Sequence, residues 1–141
     1  MTIWKRDFTV EALNLGLRNT LCEALGMEVT VIHDDGVSGT MPVDSRTVQP
    51  MRLLHGGASV ALAESLGSMA ANMACEPGSY CVGLEINANH IRSATSGLVT
   101  GKARAIHIGR STQIWEINIM DDKGRMVCIS RLTMAVKSQN S

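Results

Sequence analysis

The sequence is poor in aromatic residues and carries no net charge that would draw it to a polyanion. Only 3% of its 141 residues are Phe, Trp or Tyr, and 13 basic side chains balance 13 acidic ones. Proteins that bind single-stranded nucleic acid stack bases on aromatic rings and meet phosphates with a cationic surface. We therefore expect no nucleic-acid partner, and any anionic ligand has to be met by a local cationic patch.

Cysteine pairing and targeting signals are also missing. The four cysteines form no CxxC pair, and no Cys/His cluster has the spacing of a zinc site. The first residues contain no apolar stretch typical of a secretory signal. We expect free thiols, no metal and a cytoplasmic protein.

One long apolar stretch, 56–75, invites a membrane interpretation. It is rich in Gly, Ala and Ser rather than Leu or Ile, and it carries Glu64 and Asn72. Because an acidic residue at the centre of a bilayer is costly, a buried helix of a soluble protein is favoured over a membrane span.

The chain has the length of one domain, and we assign 1–141 to it. Residues 1–26 form a helical lead, because Leu13, Leu17 and Leu21 follow each other at four-residue intervals. This spacing predicts one helix or two short ones. The polar residues 137–141 are interpreted as a frayed tail.

The rest of the chain alternates between strand patterns and one long helix. The segment 56–75 has few β-branched residues and predicts a helix about 28 Å long. Period-two alternation predicts that Val82, Leu84 and Ile86 share one face of a strand. Short turns between strands favour an antiparallel sheet. The fold class is therefore α+β, an antiparallel sheet wrapped around one central helix, with strands predicted at 28–32, 37–43, 82–92, 98–108, 113–120 and 125–136.

Glu64 is the only charged residue in the middle of the predicted helix. With Ser68 and Asn72 it follows the i, i+4, i+8 rule, so a narrow polar stripe crosses an otherwise apolar helix. A buried carboxylate needs a partner or a function. Two interpretations stay open: a catalytic acid, or a structural Glu bonded to a neighbouring backbone group or to Ser68.

His55, Gly56 and Gly57 precede this helix, where free N–H groups and the positive dipole end meet anions. A Gly56 N–H could polarise a carbonyl oxygen, and the alternative is that His55 only caps the helix. His55 and Glu64 lie about 12–13 Å apart along the helix axis. They are too far apart to act on one carbonyl, so a site that uses both is shared between subunits of a dimer.

These segments together resemble the hotdog-fold acyl-CoA thioesterases. The resemblance is to the branch that hydrolyses 4-hydroxybenzoyl-CoA and 1,4-dihydroxy-2-naphthoyl-CoA and that includes siderophore-pathway proofreading enzymes. It extends over nearly the whole chain and rests on the segments 3–6, 41–47, 54–59, 61–65, 83–90 and 130–132.

The resemblance implies roles for particular residues. Glu64 is the nucleophile or general base, and Gln49, His55 and the Gly56 N–H hold the thioester carbonyl oxygen. Ser68 assists water or the acyl group. Ser65, Val82, His90, Arg92, His107 and Arg110 are assigned to substrate binding. The resemblance also implies no metal, no redox cofactor and a homodimer paired into a homotetramer, acting on acyl-CoA or an acyl-carrier protein.

Two further features bear on the substrate. The family's usual Phe-Gly after Gln-Pro is Met51-Arg52 here, which removes an aromatic residue from beside the acyl pocket. Residues 86–115 contain no Asp or Glu but hold Arg92, Lys102 and Arg104, with Arg110. This stretch is either a patch for the CoA phosphates or a solvated sheet face.

Two other functions fit the same pattern. A hotdog dehydratase or hydratase also pairs a His with a helix acid, and it would not release CoA thiol from a saturated aryl-CoA. A non-catalytic CoA-binding module would bind ligand without turnover and would be indifferent to Glu64→Ala.

Overall fold

Six strands form one antiparallel sheet that wraps around a single long helix. The computed structural model describes residues 1–139. The strands are hydrogen-bonded in the order β1-β2-β4-β5-β6-β3. This arrangement confirms the predicted α+β class. In chain order the elements are α1 (Val10–Gly16), α2 (Leu21–Ala24), β1 (Glu28–Ile32), β2 (Gly36–Pro42), α3 (Gly56–Ala74), β3 (Ser79–His90), β4 (Leu98–Ile108), β5 (Thr112–Met120) and β6 (Met126–Ser138).

The central helix α3 ends at Ala74, one residue before the predicted end, because Cys75 is extended. Leu62, Leu66 and Met73 are at most 2% exposed, and each contributes roughly 1.5–3 kcal/mol by leaving water. The helix approaches the sheet closely at Gly67, where a Cβ atom would lie 2.6 Å from Leu132 Cδ2. Small residues along α3 therefore allow the sheet to curve around it.

The helical lead is two short helices rather than one. Thr9 caps α1 and Thr20 caps α2, each by accepting a backbone N–H. Between them Asn19 has a left-handed backbone (φ 60°), which breaks the helix. Consequently Leu13 and Leu17 pack into the core, whereas Leu21 is 63% exposed.

The predicted face pattern of β3 is wrong at its first half. The pairing with β6 shifts register between Gly83 and Glu85, a β-bulge that inserts one extra residue. Because of this bulge, Val82 is 41% and Leu84 is 61% exposed. Ile86 lies on the other face and packs against the core. The strand is also longer than predicted at its start and lies at one edge of the sheet.

The predicted frayed tail is wrong at its first two residues. Lys137 and Ser138 belong to β6 and pair with Tyr80 and Ser79 of β3. Polar side chains suggested a tail, but the pairing there is made by backbone groups, which composition does not report. The last two residues of the predicted tail, 140–141, lie outside the described residues. Within residues 1–139, no helix combines the length and apolarity needed to cross a bilayer.

Candidate active site

Glu64 lies in a groove between α3 and the helical lead. The groove has a volume of about 590 Å³. Glu64 is partly buried, and among residues 1–139 its carboxylate has no hydrogen-bond or ion-pair partner. The alternative of a structural Glu bonded to Ser68 or to the backbone is therefore not what the structure shows. The groove is lined by Gly16, Leu17, Thr20, Leu21, Cys22, Gly57, Val60, Ala61, Glu64, Ser65, Ser68 and Met69.

Two residues beside Glu64 were missed by sequence reasoning. A Cβ atom at Gly83 would lie 2.5 Å from Glu64 Oε2, so this glycine leaves the space that the carboxylate occupies. On the opposite wall the Cys22 thiol donates to Ser65 Oγ at 3.3 Å. The bulge brings Gly83 to Glu64, and a single-sequence pattern has no signal for that contact.

A second cavity, of about 290 Å³, collects other predicted residues at the start of α3. Gln49, Gly56, His90 and Arg92 all line it, together with Ser59. The His90 ring covers the face of Gly56, since a Cβ atom there would lie 2.8 Å from His90 Nε2. The Gly56 N–H has no acceptor within the described part of the chain. This cavity thus offers hydrogen-bond donors and a cation, while Glu64 lines the other groove.

The loop before α3 orients Gln49. Its Oε1 accepts the N–H of Met51, so its Nε2 remains a donor with no acceptor in residues 1–139. Its backbone carbonyl accepts the N–H of Arg52 at 2.8 Å, and Arg52 has a left-handed backbone (φ 65°). Glycine takes this conformation without strain, which explains why the resembled family carries Gly at this position. Arg52 adopts this conformation here, in a turn that favours Gly.

His55 caps α3, as one of the two interpretations proposed. Its Nδ1 accepts the N–H of Gly57 at 2.8 Å. A nitrogen that accepts has no proton, so in the neutral ring the proton is on Nε2. The His55 side chain lines a smaller cavity of about 270 Å³, which shares Leu21, Gly57 and Ala61 with the groove of Glu64. Capping therefore leaves Nε2–H available as a donor.

Three residues assigned to substrate binding lie away from both cavities. Val82 is exposed at the sheet edge, and His107 packs its Nε2 against Gly109 in the β4–β5 turn. Arg110 lines a cavity of about 460 Å³ near the end of α3, together with Lys5. Within one chain the structure does not bring these three to Glu64, and their role stays a prediction.

The cationic stretch divides into paired and unpaired charges. Lys102 forms an ion pair with Asp35 at 3.9 Å, and Arg104 forms one with Glu116 at 2.7 Å. These two therefore form the solvated sheet face that was the alternative to a phosphate patch. Arg92 has no ion-pair partner within residues 1–139 and lines the cavity of Gly56.

The thiols of the described residues are free, and three of them are buried: Cys75, Cys81 and Cys128. Burial, together with the neighbouring Cys75 thiol, raises the pKa of the Cys81 thiol to about 12. Burial also raises the pKa of Cys128. Cys22, in the groove of Glu64, is the partly exposed one. In the described chain, no three His, Cys, Asp or Glu side chains are grouped to hold a metal ion.

Comparison with known proteins identifies the family. Residues 51–128 match the Thioesterase superfamily. The chain is 52% identical over 134 residues to the 1,4-dihydroxy-2-naphthoyl-CoA hydrolase of Escherichia coli strain K12, covering 95% of this chain and 98% of that protein.

Solved structures of thioesterases superpose closely on this chain. A Haemophilus influenzae thioesterase superposes with a TM-score of 0.97 at 45% identity, covering 99% of this chain and 98% of that chain. A Pseudomonas aeruginosa thioesterase, crystallised as a Q49A variant, superposes with a TM-score of 0.95 at 49% identity, covering 97% and 99% of the two chains. The chain therefore belongs to the thioesterase superfamily, and it is a hotdog-fold thioester hydrolase.

Proposed function

We propose that the protein hydrolyses an aryl- or other acyl-CoA to the free acid and CoA, with Glu64 as the catalytic carboxylate. The observation that carries this proposal is the carboxylate itself, partly buried in a groove with no partner in residues 1–139. A carboxylate that makes no bond within residues 1–139 and lines a groove is free to bond a ligand there. The E. coli relative, which acts on 1,4-dihydroxy-2-naphthoyl-CoA, makes that thioester the first substrate to test.

The chemistry requires one carboxylate, one water and donors for the carbonyl oxygen. Glu64 either takes a proton from water, whose oxygen attacks the thioester carbon, or attacks that carbon itself to give an anhydride that water then opens. On the first route the C–S bond breaks and the leaving thiolate takes the proton that Glu64 removed from water. On the second route CoA leaves as the thiolate, and the water that opens the anhydride restores Glu64, gives the free acid and supplies the proton. Negative charge grows on the carbonyl oxygen, and the Gly56 N–H and Gln49 Nε2, which line one cavity, are the donors we assign to it. The resemblance also implies His55 for this role, but within one chain His55 lines the cavity that adjoins the groove of Glu64.

The groove of Glu64 is the proposed site of the acyl group. Leu17, Val60 and Met69 supply apolar wall, and Ser65 and Ser68 supply hydroxyls beside the carboxylate. Its volume of about 590 Å³ is within the range that holds a compact organic ligand. These properties support an aromatic or medium-length acyl group.

The cavity at the start of α3 is assigned to the beginning of the path that the pantetheine arm and the phosphates of CoA follow. Arg92 and His90 line this cavity, and Arg92 is not neutralised by an acid within the described chain. Charge-assisted bonds to a diphosphate or 3′-phosphate need such an unpaired cation. The same contacts would serve the phosphopantetheine of an acyl-carrier protein.

A homodimer with a shared active site is part of the proposal. Gln49 and Gly56 line one cavity while Glu64 lines another, so one chain does not place them on one carbonyl. β3 is an edge strand with Leu84 61% exposed, and such edges pair with another strand. Two copies joined through β3 would complete two sites, and we expect the dimers to pair into a homotetramer.

We further propose a cytoplasmic location and a reaction without metal or redox cofactor. Free cysteines support a reducing compartment. Hydrolysis of a thioester transfers protons and an acyl group but no electrons, so a carboxylate with hydrogen-bond donors supplies what it needs. Turnover that continues after dialysis against a chelator is the expected result.

Thiol release from a panel of aryl- and fatty-acyl-CoAs tests the proposal. We expect Glu64→Ala to reduce kcat by about 10²–10⁴-fold, because it removes the base or nucleophile. The matched control is Glu11→Ala, an exposed glutamate on α1, which should retain wild-type turnover. Wild-type protein that releases no thiol from any thioester, or a Glu64→Ala variant that is fully active, would contradict the proposal.

A further inference from the structure

Ser59 is a buried hydroxyl with no partner inside the described chain. It lies one turn into α3, is 1% exposed and lines the cavity of Gly56 and His90. Its Oγ makes no hydrogen bond with any of residues 1–139. Ser38, also buried, differs in this respect, since its Oγ is 2.7 Å from His33 Nε2. Within residues 1–139 the fully enclosed side-chain atoms that lack a partner are Arg6 Nε and Asn118 Oδ1, and Ser59 Oγ is not one of them. The Ser59 hydroxyl is therefore unbonded but not sealed off, and the space that its residue lines is the cavity of Gly56.

The position of Ser59 on the helix suggests what it bonds to. Side chains of a helix lean towards its N-terminus, which brings the Ser59 hydroxyl over the turn that contains Gly56. Gly56 has no side chain to block this approach, and its N–H also lacks an acceptor within the described residues. Two unpaired donors, one O–H and one N–H, therefore face the same cavity at the positive end of a 19-residue helix.

We propose that Ser59 is a substrate-binding residue whose O–H donates a hydrogen bond to the oxygen held by the Gly56 N–H. In the proposed thioesterase reaction, on which this inference rests, that atom is the thioester carbonyl oxygen. Because negative charge accumulates on this oxygen during attack, the bond strengthens in the transition state. Bound substrate would then give the Ser59 hydroxyl the partner that it lacks within residues 1–139.

The test compares Ser59→Ala with the control Ser38→Ala. Ser59→Ala removes no bond that the hydroxyl makes within residues 1–139, so its Tm should be unchanged or higher. Its kcat/KM should fall about 10- to 100-fold, mainly through kcat. The kcat/KM of Ser59→Cys, whose S–H is a weaker donor, should lie between the values of wild type and Ser59→Ala. Ser38→Ala should show the opposite pattern, a lower Tm with kcat/KM within about 2-fold of wild type.

Each outcome decides the inference. A Ser59→Ala variant with wild-type kcat/KM overturns it while leaving the thioesterase function intact, because wild type and Glu64→Ala are measured on the same substrate. A fall in activity that accompanies loss of the dimer or of Tm also overturns it, since the hydroxyl would then be structural. Wild-type protein that cleaves no thioester overturns both proposals.

Discussion

For a single residue, the sequence gives its type and spacing, whereas the structure gives its burial and its bonding partners. The sequence alone singles out Glu64, because it is an isolated acid in an apolar helix. The structure adds that its carboxylate lacks a partner within residues 1–139 and that Gly83 leaves room for it. The Ser59 hydroxyl has no sequence signal at all, because serine in a helix is unremarkable until its missing partner is seen.

A prediction at this scale concerns the buried Cys81 thiol. Its pKa is raised to about 12 by burial, whereas a cysteine in an unfolded chain ionises near about pH 8.5. Between these values the unfolded chain has lost a proton that the folded chain keeps. The free energy of unfolding should therefore be intact below about pH 8.5 and fall as the pH rises towards 12.

Denaturant unfolding at about pH 8 and about pH 10.5 measures this loss. Cys81→Ala should lose less stability between the two values than wild type does. The control Cys22→Ala, which removes the partly exposed thiol, should behave like wild type. An equal loss in wild type and Cys81→Ala would show that this thiol does not control the alkaline instability.

At the scale of elements, the helix α3 and the edge strand β3 depend on each other. Asn72 joins them, since its Oδ1 accepts the Cys81 N–H at 2.8 Å and its Nδ2 donates to the Cys81 carbonyl at 3.3 Å. The helical spacing places Asn72 on the polar stripe with Glu64 but does not say what its amide bonds. The structure shows that the Asn72 amide bonds the backbone N–H and carbonyl of Cys81, in place of the neighbouring strand that the edge strand β3 lacks on one side.

We predict that Asn72→Ala lowers the free energy of unfolding by about 1–3 kcal/mol, because a buried pair of backbone groups loses its partner. Urea unfolding monitored by circular dichroism measures the change. Asn87→Ala is the control on the same strand. Within residues 1–139 the exposed Asn87 amide bonds only Glu85 Oε1, at 3.3 Å, so this variant should change stability by less than about 0.5 kcal/mol. If the two variants are equally stable, Asn72 does not hold β3 to α3.

At the scale of the whole molecule, the separation of two cavities requires a second chain in the proposed mechanism. Glu64 lies in the groove of the helical lead, while Gln49 and Gly56 lie in the cavity near His90. The helical rise predicted that His55, at the start of α3, and Glu64 are too far apart for one carbonyl, and it made no prediction for Gln49, which precedes the helix. The edge position of β3 supplies a surface on which a second copy can pair.

We predict that Leu84→Asp, at the exposed edge of β3, dissociates the dimer and abolishes most turnover, because a charge in the interface would be desolvated and unpaired. Sedimentation velocity over a concentration series and thiol release measure the two effects. Leu98→Asp is the control, since Leu98 is 50% exposed on β4, away from that edge. A Leu84→Asp variant that stays dimeric and active would show that the copies meet elsewhere.

The sequence by itself determined the order of elements, because hydrophobic period and turn residues act locally. The predicted bounds of β1 and β4 agree with the structure, and α3 differs by one residue. The same local signals, with the motif resemblance, were sufficient for the fold class and the thioesterase family.

Tertiary structure alone decided which residues meet. The bulge at Gly83 reversed the face of Val82, and pairing with the start of β3 made Lys137 and Ser138 part of a strand. Glu64 and Ser59, whose side chains have no partner in the described part of the chain, likewise owe their surroundings to neighbours far along the sequence. Register and hydrogen-bond satisfaction depend on contacts between distant segments, which a local pattern does not contain.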